Sequence, residues 1–272
     1  MLSGESSFDR IEPFLTQMPK SFPGITFRST LYPPTLENFT KNYFFAVSKG
    51  FISYYATPDE YSTWTSEDVE KLRKGLTSIA AHYIYCLENN IKITQFTDLD
   101  RHLCEYLIHK EKEKNFVFES GINRCGLGLT GIGISTKGWI FGCQEHSSQD
   151  ESDIFHIGNI YDGIDDKKHY NLIKTYVEQH LEKPVQPDKC MECEANYICH
   201  GTRCPSRNYF IFNHFDACSE IRCAWTKLLH EAAYSINKYF ELNYCEAYEN
   251  YLKFILNRHA RNYELQKEMV LL

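Results

Sequence analysis

No apolar run in this 272-residue chain approaches the roughly 20 residues that a membrane-spanning helix needs. The N-terminus, Met-Leu-Ser-Gly-Glu-Ser-Ser, lacks the basic-then-apolar order of a secretory signal. Lys and Arg are nowhere gathered into a patch, and the formal charge is -7 with acids and bases interspersed. That excludes the clustered cationic surface on which nucleic acids and anionic membranes rely. There is no internal repeat and no low-complexity tract. These absences leave an expectation of a cytoplasmic globular protein, long enough for one large domain or two modest ones.

Cysteine, by contrast, is abundant, with eleven in the chain. A reducing compartment argues against disulfides and for metal ligation by closely spaced thiols. The stretch Cys190-Met-Glu-Cys193-Glu-Ala-Asn-Tyr-Ile-Cys199-His-Gly-Thr-Arg-Cys204 packs four thiols into fifteen residues. Short loops between thiols let several sulfurs converge on one point. Cys125 and Cys143 lie upstream, and Cys218 and Cys223 downstream. Seven or eight thiols exceed the needs of one four-coordinate ion, so two metal centres are expected. Cys86, Cys104 and Cys245 fall in helical, apolar patterns and read as small buried hydrophobes.

The chain up to residue 115 alternates strand and helix. A short helix over residues 1–20 ends at Pro23-Gly24. Ile25–Thr30 reads as a strand, and Thr35 as the cap of a helix carrying Leu36, Phe39, Tyr43 and Val47. Phe51–Tyr55 is the next strand. Thr65-Ser-Glu-Asp68 has capping-box spacing and opens a long helix with Val69, Leu72, Leu76, Ile79 and Tyr83. Ile91–Phe96 is a further strand, and Asp98 is placed as the cap of a helix through Leu107. Units of about thirty residues in this order argue for parallel βα units, fewer than a closed barrel of eight. The polar run Lys110–Asn115 marks a boundary.

Beyond it, glycines at 126, 128, 131, 133 and 138 lie between Cys125 and Cys143, and a hairpin is expected around Lys137-Gly138. Glycine beside a metal centre lets backbone amides approach the sulfurs. Residues 144–153 read as loop, 156–163 as turn-rich, and 166–181 as helix. From about Cys218 the pattern is helical to the end, with Trp225, Leu228, Leu229, Ala232 and Ile236 on one side.

The order Cys125-x12-Gly138-x4-Cys143, a gap, Cys190-x2-Cys193-x5-Cys199, then Cys204, a second gap and Cys218 or Cys223 resembles the SPASM domain. That domain carries the auxiliary clusters of radical S-adenosylmethionine (SAM) enzymes that modify peptides and proteins, including the anaerobic sulfatase maturases. The resemblance implies an α/β fold. Residues 1–115 would be the remnant of a partial βα barrel, 116–230 a small cysteine-rich α+β domain, and 231–272 a helical tail. It implies two auxiliary 4Fe–4S clusters. Cys125, Cys143 and Cys204 would hold one; Cys190, Cys193 and Cys199 would hold the other with Cys223 or Cys218. Cys223 is preferred because its distance from Cys204 is closer to the family's and a helix follows it. Arg28, within Phe-Arg-Ser-Thr of the first strand, stands where a SAM-contacting arginine falls in the family.

Four departures accompany the likeness. Four residues separate Cys199 from Cys204 where the family usually has three. No cysteine just before Cys125 completes the first cluster, leaving an open iron or a ligand such as His146, His156 or Cys104. Gln144 stands where sulfatase maturases carry an Asp base, and a carboxamide takes no proton at neutral pH, although Glu145 is adjacent. The Cys-x3-Cys-x2-Cys that holds the SAM-cleaving cluster is missing from the sequence. The chain is therefore not expected to cleave SAM alone, and SAM would serve only if the missing part were supplied. It reads as a truncated frame, a portion of a longer enzyme, or an accessory protein. A peptide or protein substrate and an electron-transfer partner follow as expected partners. The competing readings are a non-catalytic electron-transfer or peptide-binding iron–sulfur protein, and a zinc-stapled structural module.

Overall fold

The computed structural model describes residues 8–111, 127–129, 131–148, 153–179, 193, 195, 204–215 and 219–270. Two compact units emerge. The first comprises residues 1–116 and 221–262, and the second residues 117–220 and 263–272.

In the first unit, α1 (Phe8–Ser21) leads into β1 (Thr26–Leu31). A 3-10 turn (Pro33–Asn38) precedes α2 (Phe39–Ser48), and then come β2 (Ser53–Pro58), α3 (Ser66–Glu88), β3 (Gln95–Phe96) and α4 (Thr97–Glu111). The three strands form one parallel sheet in sequential order, with Thr26 opposite Ser53 and Ser53 opposite Gln95. Local chemistry favours these elements. β1 is rich in β-branched and aromatic residues. Thr65 caps α3, accepting from the Asp68 amide while Asp68 accepts from the Thr65 amide, the reciprocal box expected from the spacing.

Two expected caps are corrected. Thr35 does not start α2; it lies inside the 3-10 turn at φ -121°, ψ 15°, and its hydroxyl donates to the Tyr32 carbonyl at 3.4 Å. Pro33-Pro34 supply fixed φ values that open this tighter turn first. Asp98 lies within the first turn of α4, not before it. β3 is also shorter than the expected Ile91–Phe96, because residues 91–94 carry no ladder bonds of their own.

Aromatic packing builds the first core. Phe27 stacks near Tyr54 at 6.1 Å, and Tyr54 meets Phe96 edge-on at 5.3 Å. Trp225 packs against Phe39 and Phe96 with centroids 5.8 and 6.2 Å away. Trp225 belongs to α7 (Glu220–Leu242), and α8 (Glu246–Val270) adds Tyr248, Leu252 and Ile255 to the same core. The helical residues 221–262 thus complete the first unit instead of trailing from it.

The second unit holds an antiparallel sheet in sequential order, β4 (Gly133–Ile134), β5 (Trp139–Phe141), β6 (His156–Asn159) and β7 (Gly163–Ile164). The β4–β5 hairpin turns where expected. Gly138 has φ +83°, which a residue with a side chain adopts at a cost, and its amide donates to the Ser135 carbonyl at 3.0 Å. α5 (Asp166–Val177) is capped by Asp165, whose carboxylate accepts from the Lys167 and Lys168 amides, each at 3.0 Å. A further helix, α6 (Pro205–Phe212), is not among the expected elements. The core here is small and aromatic: Phe141, Phe155, Tyr176 and Phe215 with Leu127, Ile140, Ile157 and Leu172.

Candidate functional sites

The second unit brings together two of the candidate thiols. Cys143 lies two residues past the end of β5, at the start of a 3-10 turn over Gln144–His146; Cys204 immediately precedes α6. Both are half-buried and unpaired by disulfide. Two neighbours hold the loops in place. Gly133 lies so close to the Cys143–Gln144 backbone that a Cβ there would sit 2.7 Å from the Gln144 Cα. His146, fully buried, stacks on Phe155 at 3.6 Å, meets Asp153 through Nδ1 at 2.9 Å and the Ser206 carbonyl through Nε2 at 3.2 Å. One imidazole therefore ties the segment after Cys143 to the segment after Cys204.

The electrostatics around Cys204 are mixed. Burial pushes its thiol pKa up. The amide and guanidinium of Arg207 pull it down, and the Cys143 sulfur and Glu145 carboxylate push it up again. Arg207 also pairs with Glu145 at 3.4 Å. Two sulfurs in mutual electrostatic range are costly as bare thiolates; a bound cation or cluster relieves the repulsion and deprotonates them. The fully buried Ser206 hydroxyl, two residues past Cys204, has no hydrogen-bond partner. Two thiols are what the described residues offer here to a soft metal. Residue by residue, Cys143 and Cys204 are brought together. Cys193 is described alone as half-buried, and Cys223 lies in the first turn of α7, in the first unit. Cys125, Cys190, Cys199 and Cys218 lie outside the described residues. Among the described residues, no three His, Cys, Asp or Glu side chains assemble as a metal site.

The alternative ligands for the first cluster are placed as follows. Both ring nitrogens of His146 are engaged. His156 is buried against Trp139 and Phe141, with Nδ1 3.1 Å from the Lys168 ammonium. Cys104 is buried in the first unit's core, and desolvation pushes its thiol strongly up. Cys86 is likewise buried and meets His82 Nε2 at 3.3 Å, while Cys245 donates to the Leu87 carbonyl at 3.6 Å.

The first unit carries a second polar feature. One face of its sheet is apolar, through Phe27, Leu31, Tyr54 and Ala56. The other bears Thr26, Arg28 and Thr30 opposite Ser53, Tyr55 and Thr57. Parallel strands buried on both faces run nearly continuously apolar, so this polar face is set to meet water or a ligand. Arg28 is exposed and its guanidinium lies 5.1 Å from the Tyr55 ring centroid. The Thr57 hydroxyl is buried without a hydrogen-bond partner. Where the strands end, Arg222 donates from Nε to Glu60 at 3.1 Å, and Arg101 stands 3.6 Å from Asp98. Burial raises the Asp98 pKa, with Arg101 and Arg222 opposing.

Sequence reasoning missed Ser206, Arg207 and the helix that carries them. The signal was present: Cys204-Pro205 places proline at the first helical position, where its absent amide costs nothing.

The parallel sheet with its flanking helices, followed by the small antiparallel sheet, is a fold with a counterpart among solved structures. Among solved structures, the chain is similar to one described as a polyhistidine-tagged anSMEcpe with bound AdoMet, with a TM-score of 0.60 and 15% sequence identity. The likeness covers 94% of this chain and 64% of that one, so this chain spans less than two-thirds of that protein's length. No family model matches the sequence, and no curated protein matches it. No described helix is long and apolar enough to cross a membrane.

Proposed function

We propose that this chain is the auxiliary-cluster, SPASM-like portion of a radical SAM protein that modifies a peptide or protein. The observation that carries this reading is the meeting of Cys143 and Cys204, distant in sequence, in one partly buried corner whose surroundings suit a cluster. The likeness to a radical SAM fold supports it. Cys143 and Cys204, with Cys125, would hold one 4Fe–4S cluster. Cys190, Cys193 and Cys199, with Cys223 or Cys218, would hold the other. When bound, such clusters accept or pass single electrons. The chain's own residues supply the rest: His146 fixes the two ligand loops against each other, and Arg207 favours the thiolate at Cys204.

The partners are a peptide or protein substrate and an electron carrier. SAM enters only through a partner or segment bearing Cys-x3-Cys-x2-Cys, and then Arg28, with Thr30 and Thr57 on the same sheet face, would meet its polar groups. Gln144 stands exposed where a maturase base would be, so sulfatase-type chemistry is not part of the proposal.

Anaerobic reconstitution of Cys143→Ala, Cys204→Ala and the double variant tests the shared cluster. Each single variant should lose the same share of iron, and the double variant no more than either. Additive losses, or none, would count against a common cluster.

A further inference from the structure

The parallel sheet of the first unit has an open side. Its order is β1-β2-β3, and no described strand pairs with β1 on the side away from β2. The Asp59 amide donates to the Leu31 carbonyl at 2.9 Å, which fixes the alternation along β1. Phe27, Ser29 and Leu31 therefore turn their backbone groups to β2, and Thr26, Arg28 and Thr30 turn theirs outward. Edge strands are ordinarily blunted by lysine, proline or a bulge. β1 carries neither residue and pairs with β2 in unbroken register over its six residues.

α1 defines the kind of strand that fits this edge. It lies on the α2 side of the sheet, with Phe8 against Phe45 at 5.7 Å and Glu12 2.8 Å from Lys49. In a right-handed crossover the helix between two parallel strands packs back over both. α2 plays this part for β1 and β2. α1 precedes β1 on the same side, so it stands where the crossover helix from a strand beyond β1 would stand. None of its residues is buried; Ile11 is exposed, and Phe14 is 66% exposed. A two-fold copy of this chain would offer β1 in the antiparallel sense, which gives α1 no such part. The solved structure with this fold also extends further, since the likeness covers 64% of it.

We propose that the outer edge of β1, with the exposed apolar side of α1, docks a parallel β-strand supplied by a βα-type partner polypeptide. The incoming main chain bonds the outward groups of Arg28 and Thr30. Its apolar side chains lie on the Phe27 side of the sheet, under Ile11 and Phe14, and its polar ones beside Arg28 and Thr30. Main-chain bonds give such strand addition its affinity, and alternate side chains give it selectivity. All the residues involved belong to the first unit, so the proposal goes beyond the cluster reading and does not rest on it.

The test is amide hydrogen exchange, read residue by residue by nuclear magnetic resonance, on the full chain. The probe is a synthetic peptide copying Phe51–Asp59, whose β2 part already pairs parallel with β1 on the inner side. Without peptide, the Arg28 and Thr30 amides should exchange fast while Ser29 and Leu31 are protected. Millimolar peptide should slow Arg28 and Thr30 by about tenfold. A nitroxide on the peptide's first residue should broaden Thr26 and spare Leu31, as a parallel strand requires. Thr30→Pro removes one outward amide but no bond to β2, and should lose the slowing at Arg28. Phe14→Glu, at an exposed position, should keep the fold and weaken the same slowing. Unchanged exchange at millimolar peptide, or broadening at Leu31 in place of Thr26, overturns the proposal. So does protection of Arg28 and Thr30 without peptide, which at dimer mass assigns the edge to a second copy and at monomer mass to the chain itself.

Discussion

Single residues in the first unit carry a cost that pH exposes. Asp100 is buried and accepts from the Tyr83 and Tyr251 hydroxyls at 3.0 and 2.6 Å. Burial lifts its pKa from 3.8 to about 7, with the two hydroxyls and Arg258 opposing. The folded state thus holds the proton that the unfolded chain releases first. Its stabilising effect is complete below the unfolded value and is lost as pH rises toward the folded one. About three units at 1.36 kcal/mol each set a ceiling of about 4 kcal/mol on the change. Asp100→Asn, which cannot ionise, should remove this slope. Thermal melts from pH 5 to 7 should show wild type losing stability relative to the variant as pH rises. Parallel profiles would refute the assignment. Nothing in the sequence marked Asp100; its partners lie 17 and 151 residues away, on α3 and α8.

Elements show where local chemistry is legible and where packing overrides it. The Thr65–Asp68 box and the Lys137-Gly138 hairpin were readable because each is closed within a few residues. Thr35 misled because the prolines before it impose a tighter turn, and α6 was overlooked because its aromatic run hides a helical start at Cys204-Pro205. Gly75 illustrates the override. Alanine is the better helix former by about 1 kcal/mol. Yet a Cβ at Gly75 would lie 2.5 Å from the Phe39 ring, and Phe39 is held between Phe96 and Trp225. Overpacking typically costs about 1–3 kcal/mol, so Gly75→Ala should lower stability by about 1 kcal/mol in chemical denaturation. A stabilised variant would mean that the ring yields.

At the scale of the whole molecule, the parallel βα order was legible from strand and helix spacing, but the recruitment of α7 and α8 into the first core was not. Trp225 showed an apolar face without showing what it faced; Phe39 and Phe96, far upstream, supply the answer. The candidate centre was legible in a different way. Spacing alone predicted metal, whereas the pairing of Cys143 with Cys204 came from a family resemblance, since no local rule joins loops so far apart. If two centres share the cysteine block, metal and fold are coupled. Cys193→Ala should then lose one cluster's iron and melt earlier, while Cys86→Ala should keep wild-type iron because that thiol is packed in a core. Equal iron in the two variants would contradict the ligand assignment.

The most direct measurement is metal and acid-labile sulfide analysis of the folded wild-type chain, prepared without oxygen. Thiolates gathered onto two clusters predict iron and sulfide in equal amounts, enough for two 4Fe–4S centres. Zinc in place of iron, or folded protein holding no metal, would contradict the account.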